Sequence, residues 1–186
     1  KKEFNVNAKC IYNPLDKNEI YKMSKINYKK YFKSKKKLRI LNIGRFTEQK
    51  DQITLLRSLN YLKNKINFEA IIVGKGIEKK NLLNFIKEND LEKNVCILNF
   101  LNNPYPIIKE TDLFVLSSKY EGLPNVLLEA LVLKKMIISS NCRTGPNEIL
   151  LNGKGGLLFN VGDHIQLYKK ILYYVKNKKK CNRMVK

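Results

Sequence analysis

From Leu38 onward the chain alternates short apolar runs with amphipathic stretches, and no other feature limits its possible folds so strongly. LRILNI (38–43), FEAIIV (68–73), VCILNF (95–100), DLFVLS (112–117) and MIISS (136–140) have the length and composition of buried strands. Amphipathic stretches lie between them near 51–64, 78–90, 104–110 and 124–135, and another follows near 163–177. Over 51–64, Ile53, Leu55, Leu56, Leu59 and Leu62 fall on one helical face. Strands and helices in this alternation predict βαβ units, and so an α/β fold: a Rossmann-like parallel sheet with helices on both faces. No internal repeat interrupts the pattern.

Residues 1–37 have a different character. They are rich in Lys, Asn and Tyr, lack sustained periodicity and end in KSKKK (33–37), which reads as a solvated linker. The expected organisation is a linker and interdomain segment over 1–37 and one domain over 38–186. With 186 residues, 44% of them apolar, the chain can bury one proper core.

A formal net charge of +21 raises nucleic acid or an anionic membrane as a partner. Lys outnumbers Arg 32 to 5, whereas phosphate-reading surfaces favour the planar fork of Arg. Ile, Lys and Asn together make up 74 of the 186 residues, the signature of AT-rich coding bias. The aromatics fall mostly in strands or at apolar helix positions, so nucleic acid is not expected. A basic face against anionic lipid stays open, each Lys there contributing about 1 kcal/mol.

Cys10, Cys96, Cys142 and Cys181 lie far apart, a spacing that fits neither a disulfide framework nor a zinc site. The single histidine, His164, follows GD at the start of a helical segment and reads as part of a capping turn. No apolar run approaches the roughly 18 residues that span a bilayer. The expectation is a soluble, cytoplasmic protein, with peripheral contact to the inner membrane as its one route to lipid.

In parallel α/β sheets ligands bind beyond the carboxyl ends of the strands, where loops meet helix N-termini. The loops concerned are 44–51, 74–77, 101–104, 118–124 and 141–147. In GRFTEQK (44–50), Gly44 permits a sharp turn, and Arg45 and Lys50 place two cations where a diphosphate needs its charge neutralised. Two solvated cations in a Lys-rich chain would look the same. VGKG (73–76) suits close passage of a ligand or a plain turn; it is neither a GxGxxG fingerprint nor a P-loop.

SSKYEGLPNVLLEAL (117–131) carries the strongest signal. Glu121 falls in the loop above the sheet, and Pro124 suits the first turn of the next helix. Gly122 and Leu123 can then aim N–H groups into the site at a positive helix end. Asn125 and Glu129, four apart, share a helical face. Glu129 lies in an otherwise apolar stretch, where an unpaired carboxylate is costly. Carboxylates and amides in this arrangement suit a ligand rich in hydroxyls and phosphate.

GR-x4-K after the first strand, followed by E-x7-E after the fourth, resembles the donor domain of glycosyltransferase family 4. These enzymes combine two Rossmann-like domains, the GT-B architecture, and retain anomeric configuration. The resemblance runs from IYNPLD (11–16), similar to the family's interdomain segment, to about Val175, and includes TGPNEILLNGKGGLLFNVGD (144–163). It implies the C-terminal half of a GT-B enzyme, which binds a nucleotide diphosphate sugar, with UDP as the default nucleotide.

By that resemblance Arg45 and Lys50 bind the diphosphate, beside Gly44. Glu121 contacts the transferred sugar, with the amides of Gly122, Leu123, Pro124 and Asn125 around it, proline supplying only its carbonyl and ring. Glu129 holds the ribose, and Gly74 and Leu101 flank the base. Arg45, Lys50 and Glu121 form the catalytic set. No metal and no cofactor is implied, because the cations replace a divalent ion and the chain has no DxD. FLNN (100–103) departs from the family, which commonly has glycine after the hydrophobic pair, so the nucleotide is left open.

The implied acceptor is a glycan or lipid-linked glycan of surface polysaccharide synthesis, reached through an N-terminal domain not contained in the sequence. On this reading the chain binds donor and transfers nothing alone. Replacing Glu129 should weaken every nucleotide, and replacing Glu121 should leave nucleoside diphosphate binding nearly intact.

Overall fold

A computed structural model describes residues 14–26 and 30–185. Six strands, β1 (Leu38–Ile43), β2 (Phe68–Val73), β3 (Val95–Leu98), β4 (Leu113–Leu116), β5 (Met136–Ser140) and β6 (Leu157–Phe159), form one sheet. Every pairing is parallel, and the order is β3-β2-β1-β4-β5-β6. This is the doubly wound order, with its topological switch point between β1 and β4.

Alternation along the strands divides the core in two. Ile40, Ile72, Val115 and Ile138 point to one side. They pack against α2 (Gln52–Leu62), α3 (Lys79–Glu88) and α7 (His164–Lys176) through Leu55, Leu59, Leu82, Ile86, Leu167 and Ile171. Leu41, Ile71, Phe114 and Ile137 point to the other side, against α1 (Lys17–Met23), α4 (Tyr105–Glu110) and α5 (Asn125–Val132) through Ile20, Ile107, Ile108, Leu127 and Ala130. Two one-sided cores on one sheet are what a period-2 strand flanked by amphipathic helices requires. The short helices α6 (Pro146–Ile149) and α8 (Lys178–Asn182) complete the described fold.

The five expected strands are all present, with VCILNF shortened to Val95–Leu98 and DLFVLS to Leu113–Leu116. The three-residue β6 and the helices α1, α6 and α8 lie outside the sequence pattern, because elements of three to seven residues carry too little periodicity. Asp163 accepts from the Gln166 N–H at 2.8 Å as the cap of α7, with His164 as the first helical residue. Cys96, Cys142 and Cys181 are free thiols, and Cys10 lies outside the described residues.

The expected solvated linker is docked where it is described. Asp16 caps α1 by accepting from the Glu19 N–H at 2.9 Å, and Ile20 and Phe32 are 3% and 4% exposed. Buried Glu69 accepts the Lys33 N–H at 2.9 Å, which fastens the Lys-rich stretch to β2. Buried apolar positions spaced too irregularly to show periodicity, plus one acidic anchor from a distant strand, explain why the sequence pattern missed this. Ile11, Tyr12 and Asn13 of the IYNPLD motif lie outside the described residues.

Candidate active site

Loops from the carboxyl ends of β1 and β4, the strands flanking the switch point, bring two of the expected residues into contact. Lys50 Nζ lies 2.5 Å from Glu121 Oε1, with 15% and 6% of the side chains exposed. Lys50 ends a single 3-10 turn (Glu48–Lys50). Asp51 follows in the left-handed region (φ 44°), which Asp tolerates, and caps α2 by accepting from the Thr54 N–H at 3.4 Å, while its other oxygen accepts from the Thr54 hydroxyl at 2.7 Å. The reversal at Asp51 separates the turn that presents Lys50 from the helix that packs on the sheet.

Buried hydroxyls hold the other side of this contact. The Ser118 hydroxyl donates to Glu121 Oε1 at 2.6 Å, and Ser117 donates to the Lys50 carbonyl at 3.0 Å. Ser140, at the end of β5, donates to the Ser118 carbonyl at 2.6 Å. The Thr144 hydroxyl donates to the Glu121 carbonyl. Gln49 joins the loops again, its Nε2 donating to the Tyr120 carbonyl at 3.0 Å and its carbonyl accepting from the Lys119 N–H at 2.8 Å.

Arg45 is exposed and reaches only the neutral Gln49 Oε1, at 3.4 Å. Among the described residues it makes no ion pair, so its charge is available to a ligand. Two glycines permit close approach here. A Cβ on Gly74 would lie 2.0 Å from the Gly44 carbonyl oxygen, and one on Gly145 (φ 86°) 2.3 Å from that of Gly122. Gly74 is therefore demanded by the crossing of two loops. Gly122 itself faces open space, with nothing within 4 Å of the Cβ it lacks.

The helix α5 starts one residue later than expected, at Asn125, with Pro124 as its N-cap. Among the described residues the N–H groups of Gly122 and Leu123 have no hydrogen-bond acceptor. Glu129 lies one turn along α5 and is half-buried, and burial pushes its carboxyl above the usual range. With Asn125 it lines a hollow of about 300 Å³ closed by Tyr105, Leu15, Glu19 and Ile20. Beside the β1 and β2 ends runs an apolar slot of about 310 Å³, lined by Ile43, Val73, Gly74, Phe100, Leu101 and Pro104. The Lys75 ammonium lies over the Phe100 ring, 5.4 Å from its centroid.

The structure thus joins Lys50 to Glu121 directly, puts Gly44 beside the Lys50 stem, places Arg45 at their rim, and puts Gly74 with Leu101 in one slot. Glu129 and Asn125 share a second hollow, as their spacing predicted. Sequence reasoning missed Ser118, Gln49, Thr144, Tyr105 and Phe100. The paired serines that follow β4 and end β5 (Ser117–Ser118 and Ser139–Ser140) were a visible signal, since four polar residues there must find partners once buried.

A sequence profile described as "Glycosyl transferases group 1" matches residues 23–186. The chain belongs to this family. An uncharacterized glycosyltransferase of Methanocaldococcus jannaschii is 45% identical to this group 1 chain over 111 residues, 59% of this chain and 27% of that protein. The O-antigen biosynthesis glycosyltransferase WclY of Escherichia coli is 30% identical over 169 residues, covering 90% of this chain and 46% of WclY. The chain spans less than half the length of these relatives. Its fold matches the crystal structure of Anabaena HepE in complex with UDP, with TM-score 0.79 and 22% identity over 95% of this chain and 50% of that one. The Rossmann-like α/β class expected from the strand pattern is therefore the observed one, shared with GT-B glycosyltransferases. Among the described residues no helix is long and apolar enough to cross a membrane.

Proposed function

We propose that this chain is the donor-binding half of a retaining family 4 glycosyltransferase, which takes a hexose or N-acetylhexosamine from a nucleotide diphosphate sugar, with UDP as the nucleotide. The contact between Lys50 and Glu121 at the switch point carries this reading. One loop offers a cation and the facing loop a carboxylate, the pair of charges that a diphosphate joined to a sugar requires. In this role Lys50 and Arg45 neutralise the diphosphate and stabilise the charge that grows on the departing nucleotide, with no divalent ion. Glu121 accepts from a sugar hydroxyl, and the N–H groups of Gly122 and Leu123 lie at the positive end of α5.

Glu129 accepts from the ribose hydroxyls inside its half-buried hollow, and the base enters the apolar slot between Gly74 and Leu101. Support for UDP comes from HepE, which has the same fold and whose structure holds UDP. Support for an acceptor in surface polysaccharide synthesis comes from the O-antigen relative. The acceptor is bound by a second domain, so this polypeptide alone binds donor without transferring sugar.

Calorimetric titration with UDP, GDP and ADP, then with UDP-sugars, tests the reading. UDP should bind tightest of the three, without added metal, and a UDP-sugar tighter than UDP. No binding of any nucleotide, or turnover of a UDP-sugar by this chain alone, would overturn the assignment.

A further inference from the structure

The carboxylate of Glu121 is held asymmetrically. Lys50 Nζ at 2.5 Å and the Ser118 hydroxyl at 2.6 Å both meet Oε1, and among the described residues nothing meets Oε2. Ser118 is itself fully buried, and its carbonyl accepts the Ser140 hydroxyl at 2.6 Å, so its position is tied to the end of β5. The Thr144 hydroxyl donates to the Glu121 carbonyl and restrains the same residue from the main-chain side. Lysine is a poor orienting partner, since its ammonium is a point charge on a flexible stem with three rotatable donors. A serine hydroxyl in a buried segment just past a strand is placed by a single side-chain rotation. Of the two contacts to Oε1, the serine is the one that can fix the plane of the carboxylate.

We propose that Ser118 is the positioning residue for Glu121: by occupying Oε1 together with Lys50, it reserves Oε2 to accept from a hydroxyl of the transferred sugar. The inference rests on Glu121 being the sugar contact and adds how that contact is oriented. Without Ser118 the carboxylate can turn so that both oxygens share Lys50, and the acceptor is lost to the sugar while the cation stays in place. The result is a defect in sugar recognition with nucleotide recognition preserved. A loosened fold would weaken both together.

The experiment compares binding of UDP with binding of whichever of UDP-glucose, UDP-galactose, UDP-N-acetylglucosamine and UDP-N-acetylgalactosamine the 186-residue chain binds tightest. The readout is the ratio of the two affinities, with folding checked by circular dichroism. Ser118→Ala should lower the ratio about tenfold, the weight of one hydrogen bond to a charged group, and leave UDP affinity within about twofold. Ser118→Thr, which keeps the hydroxyl, should restore most of the ratio. Ser139→Ala removes an equally buried hydroxyl that donates only to the Ser140 carbonyl, and should leave the ratio unchanged. If the added methyl of threonine unfolds the chain, the contrast between S118A and S139A decides.

An unchanged ratio in S118A, a parallel loss of UDP and UDP-sugar, or an equal effect of S139A overturns the proposal. Glu121→Gln separates the two levels. A lowered ratio in E121Q with none in S118A rejects the positioning role alone. An unchanged ratio in E121Q rejects the sugar contact itself, and the positioning role with it.

Discussion

Lys50 and Glu121, read from sequence as separate clamps for diphosphate and sugar, are bonded to each other, Nζ to Oε1 at 2.5 Å. A substitution at either one therefore changes the charge felt by the other. The sequence expectation that Glu121 can be removed with nucleoside diphosphate binding nearly intact gives way to a signed prediction. Glu121→Gln frees the Lys50 charge and removes a carboxylate beside the phosphates, so UDP should bind tighter, by about threefold for a partly screened charge. The UDP-sugar should lose its advantage over UDP. Lys50→Ala should weaken both ligands and also lower stability by about 2 kcal/mol, because Glu121 is left buried with Ser118 alone. Calorimetry and urea unfolding of the two variants check both signs.

Glu129 offers a test in which stability and binding move in opposite directions. Burial raises its carboxyl pKa in the folded chain. The protonated form is thus favoured on folding, and its stabilisation is fully present below the unfolded value near 4.3. It is lost as pH rises through the raised folded value. Glu129→Gln removes that loss, so the variant should melt higher than wild type at pH 8, with the difference vanishing at pH 4. The same variant should bind UDP about tenfold more weakly, because an amide replaces the proposed ribose acceptor. A melting series from pH 4 to 8 and one titration suffice.

Gly122 and Gly145 separate ligand contact from packing. Gly122→Ala places a methyl where nothing lies within 4 Å, so stability should stay within about 0.5 kcal/mol of wild type. If a sugar or phosphate approaches that backbone, UDP-sugar affinity should nonetheless fall. Gly145→Ala meets the Gly122 carbonyl oxygen at 2.3 Å and the Pro124 ring at 2.6 Å, from a backbone at φ 86°. That variant should lose about 2 kcal/mol or more. Thermal melts and titrations of both check the contrast.

Far from the site, Asp112 makes acid sensitivity predictable. Burial alone would raise its pKa, but hydrogen bonds from the Arg39 side chain and N–H, with Lys178 nearby, hold it below the usual range. The stability it contributes is present above the unfolded value near 3.9 and is lost as pH falls through the depressed folded value. Asp112→Ala should cost about 2 kcal/mol at pH 7 and flatten the loss of stability below pH 4. Urea midpoints from pH 2 to 7 report both.

By itself the sequence determined the class of the fold and pointed to the sheet edge where Lys50 and Glu121 meet. Strand composition in LRILNI, FEAIIV and MIISS, with helical periodicity between them, reports which faces must be buried, and burial depends on residue type at local spacing. Asn125 and Glu129 were placed together for the same reason, since four residues along a helix make neighbours. Tertiary structure alone decided what is long-range. The strand order puts β1 beside β4, and that adjacency joins Lys50 to a Glu121 lying 71 residues away. The crossing of Gly74 over Gly44, the anchoring of Lys33 by Glu69, and the bond from Ser140 to the Ser118 carbonyl are contacts between separate elements. Local periodicity carries no information about such contacts, because they form only once both cores have closed on the sheet.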